Sequence, residues 1–295
     1  MIKRTLLFVN PQRISLKNCQ LVCESMDDEA VKKSVPIEDI GIVILENPMT
    51  KITLPALNAL VESNVAVVLC NNLRMPSAML QPLDGNSVQG EIFRQQVAAS
   101  EPLKKGLWRQ TVEAKIKNQA ALLDKLGLDG ARVLQYSKAV KSGDSDNREG
   151  AAARAYWHEL FGGDFIREQY GEAPNALLNY GYTILRAATA RSLVGSGLLP
   201  AFGIFHHNRY NAFPLADDIM EPYRPYVDEV VYRLYRSGVR EVDKGTKIDL
   251  LGVLRSECKF KELIRPLELA LTITTASLAK CYAGKQKLVS YPMLR

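Results

Sequence analysis

Histidine is scarce in this chain of 295 residues: His158, His206 and His207 are all it has. Imidazole chemistry is thereby confined to two places, one of them a His-His pair. The five cysteines, Cys19, Cys23, Cys70, Cys258 and Cys281, are odd in number and form no C-x-x-C pair. Neither a zinc site nor a disulfide framework is expected, and a reducing cytoplasm suits the chain better. No apolar run is long enough to span a membrane. The opening MIKRTLLFVNP begins like an export signal, but Asn10-Pro11 ends its apolar run too soon. P-loop and G-x-S-x-G motifs are lacking. Gly195-Ser196-Gly197-Leu198-Leu199-Pro200 starts like a dinucleotide fingerprint, yet it follows a helical pattern and has proline where the last glycine belongs.

What is present is ordinary globular material, 47% hydrophobic and 24% charged, in a length that suits two domains. The first part is β-rich: Thr5 to Val9, Leu21 to Glu24, Ile40 to Leu45, Val65 to Cys70 and Ala78 to Leu83 read as strands, and Leu54 to Val61 as a helix. Asp84-Gly85-Asn86-Ser87 is a turn and the best boundary candidate. Helical periodicity follows. Leu107, Thr111, Ala114, Ala121, Leu122 and Leu126 can share one face, and Ala153, Tyr156, Trp157 and Leu160 a second. Further helices are expected from Pro174 to about Gly197, over residues 213–238 with Pro222 and Pro225 bending or interrupting them, and from Leu267 to Tyr282. The expected fold class is α+β: a small β-rich domain, residues 1–90, followed by a larger all-helical catalytic domain, residues 91–295.

Charge divides along the same line. Residues 1–90 carry eight Lys/Arg against nine Asp/Glu, whereas residues 91–295 carry 30 against 23. The basic excess of the second part suits contact with phosphate, although a solvated lysine-rich surface explains it equally well.

Between His206 and Glu221, two histidines and three carboxylates lie within sixteen residues. Asp218 and Glu221 are i, i+3, and share a face if the segment is helical. One imidazole with two or three carboxylates suits Mn²⁺ or Mg²⁺ better than zinc. The plain alternative is a solvated helix face with Asp218 as a cap. Against it, His206 follows Gly203-Ile204-Phe205 and Glu221 lies between Met220 and Pro222, where an unpaired charge is unfavourable. Adjacent residues diverge by about 100° on a helix and about 180° on a strand, so His206 and His207 cannot both aim at one ion. Upstream, Asp146-Asn147-Arg148-Glu149 has capping-box spacing, which accounts for Glu149 without any function. Yet Glu149, Ala153, Tyr156 and Leu160 also fall on one helical stripe. Trp108 and Trp157 are assigned to packing, as are at least two of Tyr180, Tyr182 and Tyr210.

Four motifs in order, Asn147-Arg148-Glu149-Gly150-Ala151-Ala152-Ala153-Arg154-Ala155-Tyr156, Leu178-Asn179-Tyr180-Gly181-Tyr182, Gly203-Ile204-Phe205-His206 and Asp218-Ile219-Met220-Glu221-Pro222-Tyr223-Arg224-Pro225, resemble the CRISPR-associated integrase family of the spacer-adaptation machinery, in its type II form. The resemblance covers essentially the whole chain. It implies a metal-dependent DNA endonuclease and integrase that inserts captured DNA fragments into a repeat array by transesterification. The implied catalytic and metal-ligating residues are Glu149, His206 and Glu221, with Asp218 in support and Mg²⁺ or Mn²⁺ as the cofactor. Some relatives carry aspartate where this chain has Glu221, which lengthens the reach of that ligand. The partners implied are double-stranded and branched DNA, a second copy in a homodimer, a small ferredoxin-like adaptation protein, the type II effector nuclease and other adaptation subunits. Arg209, Arg224, Arg186 and Arg191 are the candidate phosphate contacts, each equally readable as ordinary surface arginine. A stand-alone branched-DNA repair nuclease and a non-catalytic DNA scaffold are the competing readings.

The charge division generates a prediction. If the second part neutralises several phosphates, log K for duplex DNA falls with log salt at about −0.9 per phosphate. Titrations between low and high salt check it, and a flat response would remove the basis for placing DNA there.

Overall fold

The computed structural model describes residues 3–28 and 31–295, and the chain divides into two compact units, Met1–Ser87 and Val88–Arg295. The first holds β1 (Arg4–Phe8), β2 (Gln12–Lys17), β3 (Gln20–Ser25), β4 (Lys32–Pro36), β5 (Ile40–Leu45), β6 (Lys51–Ile52), α1 (Leu54–Glu62), β7 (Ala66–Cys70) and β8 (Pro76–Leu80). They build two four-stranded sheets, ordered β1-β5-β7-β8 and β4-β3-β2-β6. In the first, β1, β5 and β7 are parallel and β8 is antiparallel. Ile40–Leu45 is apolar without alternation because this parallel strand is covered on both faces. In the second sheet, β2 was not evident in the sequence. Its alternation is masked by Gln12, Arg13 and Lys17, and only Ile14 reaches full burial. A tight turn through Asn18 and Cys19, both at positive φ, pairs it with β3. Ile14, Leu21, Ile40, Val43, Leu60 and Val67 meet in one core.

The second unit is mostly helical: α2 (Gln89–Val97), α3 (Glu101–Lys125), α4 (Ala131–Ser137), α5 (Arg148–Phe161), α6 (Asn175–Gly195), α7 (Pro214–Met220), α8 (Arg224–Arg236), α9 (Lys244–Leu251) and α10 (Leu267–Tyr282). The expectation of an all-helical domain is corrected by a hairpin, β9 (Glu257–Phe260) with β10 (Leu263–Pro266). Its residues Cys-Lys-Phe and Leu-Ile-Arg alternate too briefly to stand out against flanking helices. Among the described residues no helix is long and apolar enough to cross a membrane.

Two helices organise this unit. α3 starts at Ser100, whose side chain accepts from Leu103 N, with Pro102 in the first turn. Leu107, Thr111 and Leu122 are buried as expected, but Ala114, Ala121 and Leu126 are only half-buried. The covered face also includes Trp108, Val112, Lys115, Ile116, Asn118 and Leu123, so it is wider and more polar than the apolar spacing indicated. α6 is buried along most of its length. At Gly181 an added Cβ would come within 2.4 Å of Val227 Cγ1, so the glycine is what lets α6 and α8 approach so closely.

Residues 213–238 are helical with one break, as Pro222 and Pro225 led one to expect. Glu221–Tyr223 form a single 3-10 turn between α7 and α8. Asn118 of α3 secures that turn. Its Nδ2 donates to Pro222 O at 2.7 Å and to Pro292 O at 3.1 Å, while its Oδ1 accepts from Leu294 N. Tyr223 Oη lies 2.6 Å from Thr274 Oγ1 of α10.

A buried carboxyl ties α5, α6 and α8 together. Asp228 accepts hydrogen bonds from Tyr156 Oη at 2.8 Å and from Tyr182 Oη. Burial pushes the Asp228 carboxyl up to about 6, against the two phenol hydrogen bonds and the charges of Arg224 and Arg167, which lower it. A carboxyl that keeps its proton to about pH 6 when folded, but only to about pH 4 when unfolded, takes up a proton on folding between those values. Its contribution to stability therefore declines as pH rises through that window, by roughly 3 kcal/mol. We expect the stability difference between wild type and Asp228→Asn to move in the variant's favour from pH 4 to pH 6.5, by about 2–3 kcal/mol. Urea unfolding at several pH values measures it; a difference independent of pH would contradict the raised carboxyl.

Candidate metal centre

Glu149 opens α5. The capping box allowed by its spacing is not made. Asp144, not Asp146, caps the helix, accepting from Arg148 N at 2.8 Å and Glu149 N at 3.0 Å, and Asn147 Oδ1 accepts from Gly150 N. Asp146 pairs instead with Lys141 at 2.7 Å. The Glu149 side chain is thus released from the helix end, and its Oε1 lies 2.5 Å from Lys115 Nζ of α3.

Glu221 stands at the break between α7 and α8 and is 4% exposed. Its two oxygens face different cations: Oε1 is 2.9 Å from Arg224 Nη2, and Oε2 is 2.6 Å from the same Lys115 Nζ. The second approach is an ion pair without hydrogen-bond alignment, which leaves Oε2 with no hydrogen bond. Burial alone would raise the Glu221 carboxyl; the charges of Arg224 and Lys115, helped by His206, outweigh it and hold the group below the usual carboxylate range. Burial likewise works to depress Lys115, and the charges of Glu221 and Glu149 prevail, keeping the ammonium above the ordinary lysine range. Glu149 and Glu221, 72 residues apart in sequence, therefore converge on one buried point.

His206 arrives from the loop before α7. Asp218, wholly buried, gathers that loop: it accepts from Ile204 N at 2.5 Å, Phe205 N at 3.0 Å and His206 N at 3.2 Å, and from His206 Nδ1 at 2.5 Å. Three successive N–H groups around one carboxylate form a nest. Gly203 permits the turn, since a Cβ there would come within 2.4 Å of His206 O. Because an ionised carboxylate only accepts, Nδ1 carries the proton, and in the neutral ring the lone pair is on Nε2, where a ligand can meet it. The Asp218 hydrogen bond raises the His206 pKa, burial opposes it, and the charges of Asp218, Glu221 and Glu149 add to the rise. Trp108 flanks the ring edge-on at 5.7 Å between centroids while stacking on Phe205 at 4.4 Å. Trp108 is packing, as expected, and it also fixes a candidate ligand. His207 is exposed.

Among the described residues no three His, Cys, Asp or Glu groups close on a point with metal-ligand spacing; the Lys115 ammonium stands between the two glutamates. The donor set nonetheless fits an oxygen-preferring divalent cation. Two carboxylates and an imidazole nitrogen are the ligand types it takes, and Glu221 Oε2 is a buried oxygen lacking a hydrogen bond. Asp218 is engaged on all sides and orients the imidazole. Lys115 escaped the sequence reading: a lysine at i+4 from Thr111 and i+7 from Trp108 lies on the buried stripe, but a single lysine there looks like a surface residue.

The four arginines separate. Arg191 is mostly buried against Glu268 of α10 at 3.0 Å. Arg224 is half-buried between Glu221 and the Tyr182 ring, 4.5 Å from its centroid. Arg186 forks onto Asp217, Nε to Oδ1 at 2.6 Å and Nη2 to Oδ2 at 2.9 Å. These three engage internal carboxylates, and the Arg186 side chain stays 43% exposed beside Asp217. Arg209 is exposed, its guanidinium over Tyr210, itself 80% exposed. Tyr180 and Tyr182 are core.

The fold is shared with solved structures that include a casposase bound to integration product and a Cas6-RT-Cas1--Cas2 complex. The first has a TM-score of 0.81 at 22% identity, over 98% of this chain and 93% of that one. The second has 0.76 at 20%, over 100% of this chain and 37% of that one. The chain belongs to the Cas1 family of CRISPR-associated proteins, whose pattern it matches over residues 6–268. The CRISPR-associated endonuclease Cas1 of Neisseria meningitidis serogroup C (strain 8013) is 41% identical over 255 residues, 85% of this chain and 83% of that protein.

Proposed function

We propose that the chain is a metal-dependent DNA endonuclease and integrase that inserts captured DNA fragments into a CRISPR repeat array, with Glu149, His206 and Glu221 holding Mg²⁺ or Mn²⁺. The observation that carries this reading is the convergence of Glu149 and Glu221 on one buried point, beside an imidazole whose Nδ1 is pinned by Asp218. Family membership and the endonuclease named in Neisseria support it. When bound, the divalent cation would supply Lewis-acid polarisation of the phosphodiester and a lower pKa for the attacking oxygen.

The residues do the rest. Asp218 and Trp108 hold the imidazole so that Nε2 is presented without a search over rotamers. Arg224 keeps Glu221 ionised in a buried setting. A fragment's 3′-hydroxyl gives up its proton and attacks phosphorus at a repeat end, a new P–O bond forms, the old P–O3′ bond breaks, and the departing O3′ takes up a proton from solvent, so that protons balance. With water as the attacking group the same arrangement is a nuclease. In this reading Arg209 meets the backbone and Tyr210 a base, which their exposure supports. The structural neighbour that contains Cas2 supports assembly with an adaptation partner; the homodimer and the small ferredoxin-like character of that partner are part of the proposal, and joining of fragments at a repeat boundary on mixing with it distinguishes this reading from a stand-alone repair nuclease.

His206→Ala is expected to lower Mn²⁺- and Mg²⁺-dependent cleavage and integration by at least about a hundredfold, with fold and most DNA binding kept. His207→Ala is expected to retain most activity. Assays of both variants on branched duplex and repeat substrates check this. Inactive His207→Ala beside active His206→Ala would move the ligand by one residue, and full activity in both would dismiss the metal site.

A further inference from the structure

The Lys115 ammonium lies 2.5 Å from Glu149 Oε1 and 2.6 Å from Glu221 Oε2. A divalent cation shared by those carboxylates needs oxygens at about 2.0–2.2 Å. Two cations cannot both occupy the space between the same two oxygens. Neither oxygen of Glu221 is uncontested, since Oε1 belongs to Arg224 at 2.9 Å. The claims are unequal, however. Lys115 holds Glu149 by an aligned hydrogen bond, whereas its 2.6 Å approach to Glu221 Oε2 is poorly aligned and that oxygen is the less firmly held. Lysine suits an exchange, because its ammonium is a compact point charge on a flexible stem, whereas a guanidinium fork is rigid.

We propose that Lys115 is a positioning residue that acts as a built-in counter-cation: it holds Glu149 and Glu221 together until a divalent cation takes Glu221 Oε2 and displaces the ammonium. This rests on the metal-site reading above. The exchange opposes binding while keeping the paired carboxylates from repelling each other inside the protein. Metal affinity is thereby set by the difference between two cations rather than by the ligands alone. A merely structural ion pair has no such consequence: its loss lowers stability and leaves or weakens the cation's hold.

The test uses the full chain with Lys115→Met and Lys115→Gln. The second variant keeps a neutral hydrogen-bond donor should the first fail to fold, as judged by circular dichroism. Mn²⁺ binding is read by electron paramagnetic resonance of the free ion, and melting temperature with and without Mn²⁺. The expected result is Mn²⁺ affinity higher by about tenfold in the folded variant. A lower melting temperature without Mn²⁺ and a larger rise on adding it are expected alongside. Affinity unchanged or weakened, in a wild type whose Mn²⁺ binding His206→Ala abolishes, overturns this inference and leaves the metal site standing. No His206-dependent Mn²⁺ binding in wild type or variant overturns both.

Discussion

A lysine ammonium buried among helices is tolerable only if negative charge comes to meet it, and Lys115 of α3 is met twice. Glu149 at the start of α5 and Glu221 at the break between α7 and α8 both reach it. Removing one partner from such a buried set costs about 3–5 kcal/mol, because an uncompensated charge remains. Three stretches of chain far apart in sequence are thereby obliged to meet at one place. The same requirement explains why Glu149 is not used to cap its own helix: Asp144 and Asn147 satisfy the helix end, and the glutamate is freed.

Around that meeting point, each neighbour removes a freedom. Pro222 prevents α7 from running into α8, and the 3-10 turn that results puts Glu221 where a regular helix would not. Asn118, three residues beyond Lys115 on α3, clamps the turn through Pro222 O. Asp218 collects three backbone N–H groups and one imidazole N–H, so the loop bearing His206 has a single arrangement. Behind the site, Arg224 joins Glu221 to Tyr182, and Tyr182 joins Asp228. The candidate ligands are thus carried on a largely hydrogen-bonded polar framework, in which Glu221 Oε2, on the face toward Lys115, is a buried oxygen short of an aligned hydrogen bond.

Charge shows why composition is a coarse guide. The basic excess of residues 91–295 suits contact with phosphate and a solvated surface equally. Within it, Arg186, Arg191 and Arg224 answer internal carboxylates, since Asp217, Glu268 and Glu221 are buried and each requires a cation nearby. Arg209, in a loop with no buried acid beside it, stays at the surface.

The succession of elements was legible in the residues. An unbroken apolar run announced the parallel strand β5, Pro222 and Pro225 announced the break between α7 and α8, and ordered motifs brought Glu149, His206, Asp218 and Glu221 into one expectation. These are local signals, because backbone dihedrals and the spacing of apolar residues are set within a few positions of the chain. β2, the β9–β10 hairpin, the cap supplied by Asp144 and the place of Lys115 were not legible. Whether a lysine on a helix faces water or two carboxylates depends on helices that arrive from 34 and 106 residues away. Only the packed structure decides which charges must pair, because the cost of leaving one unpaired appears only once water has been excluded.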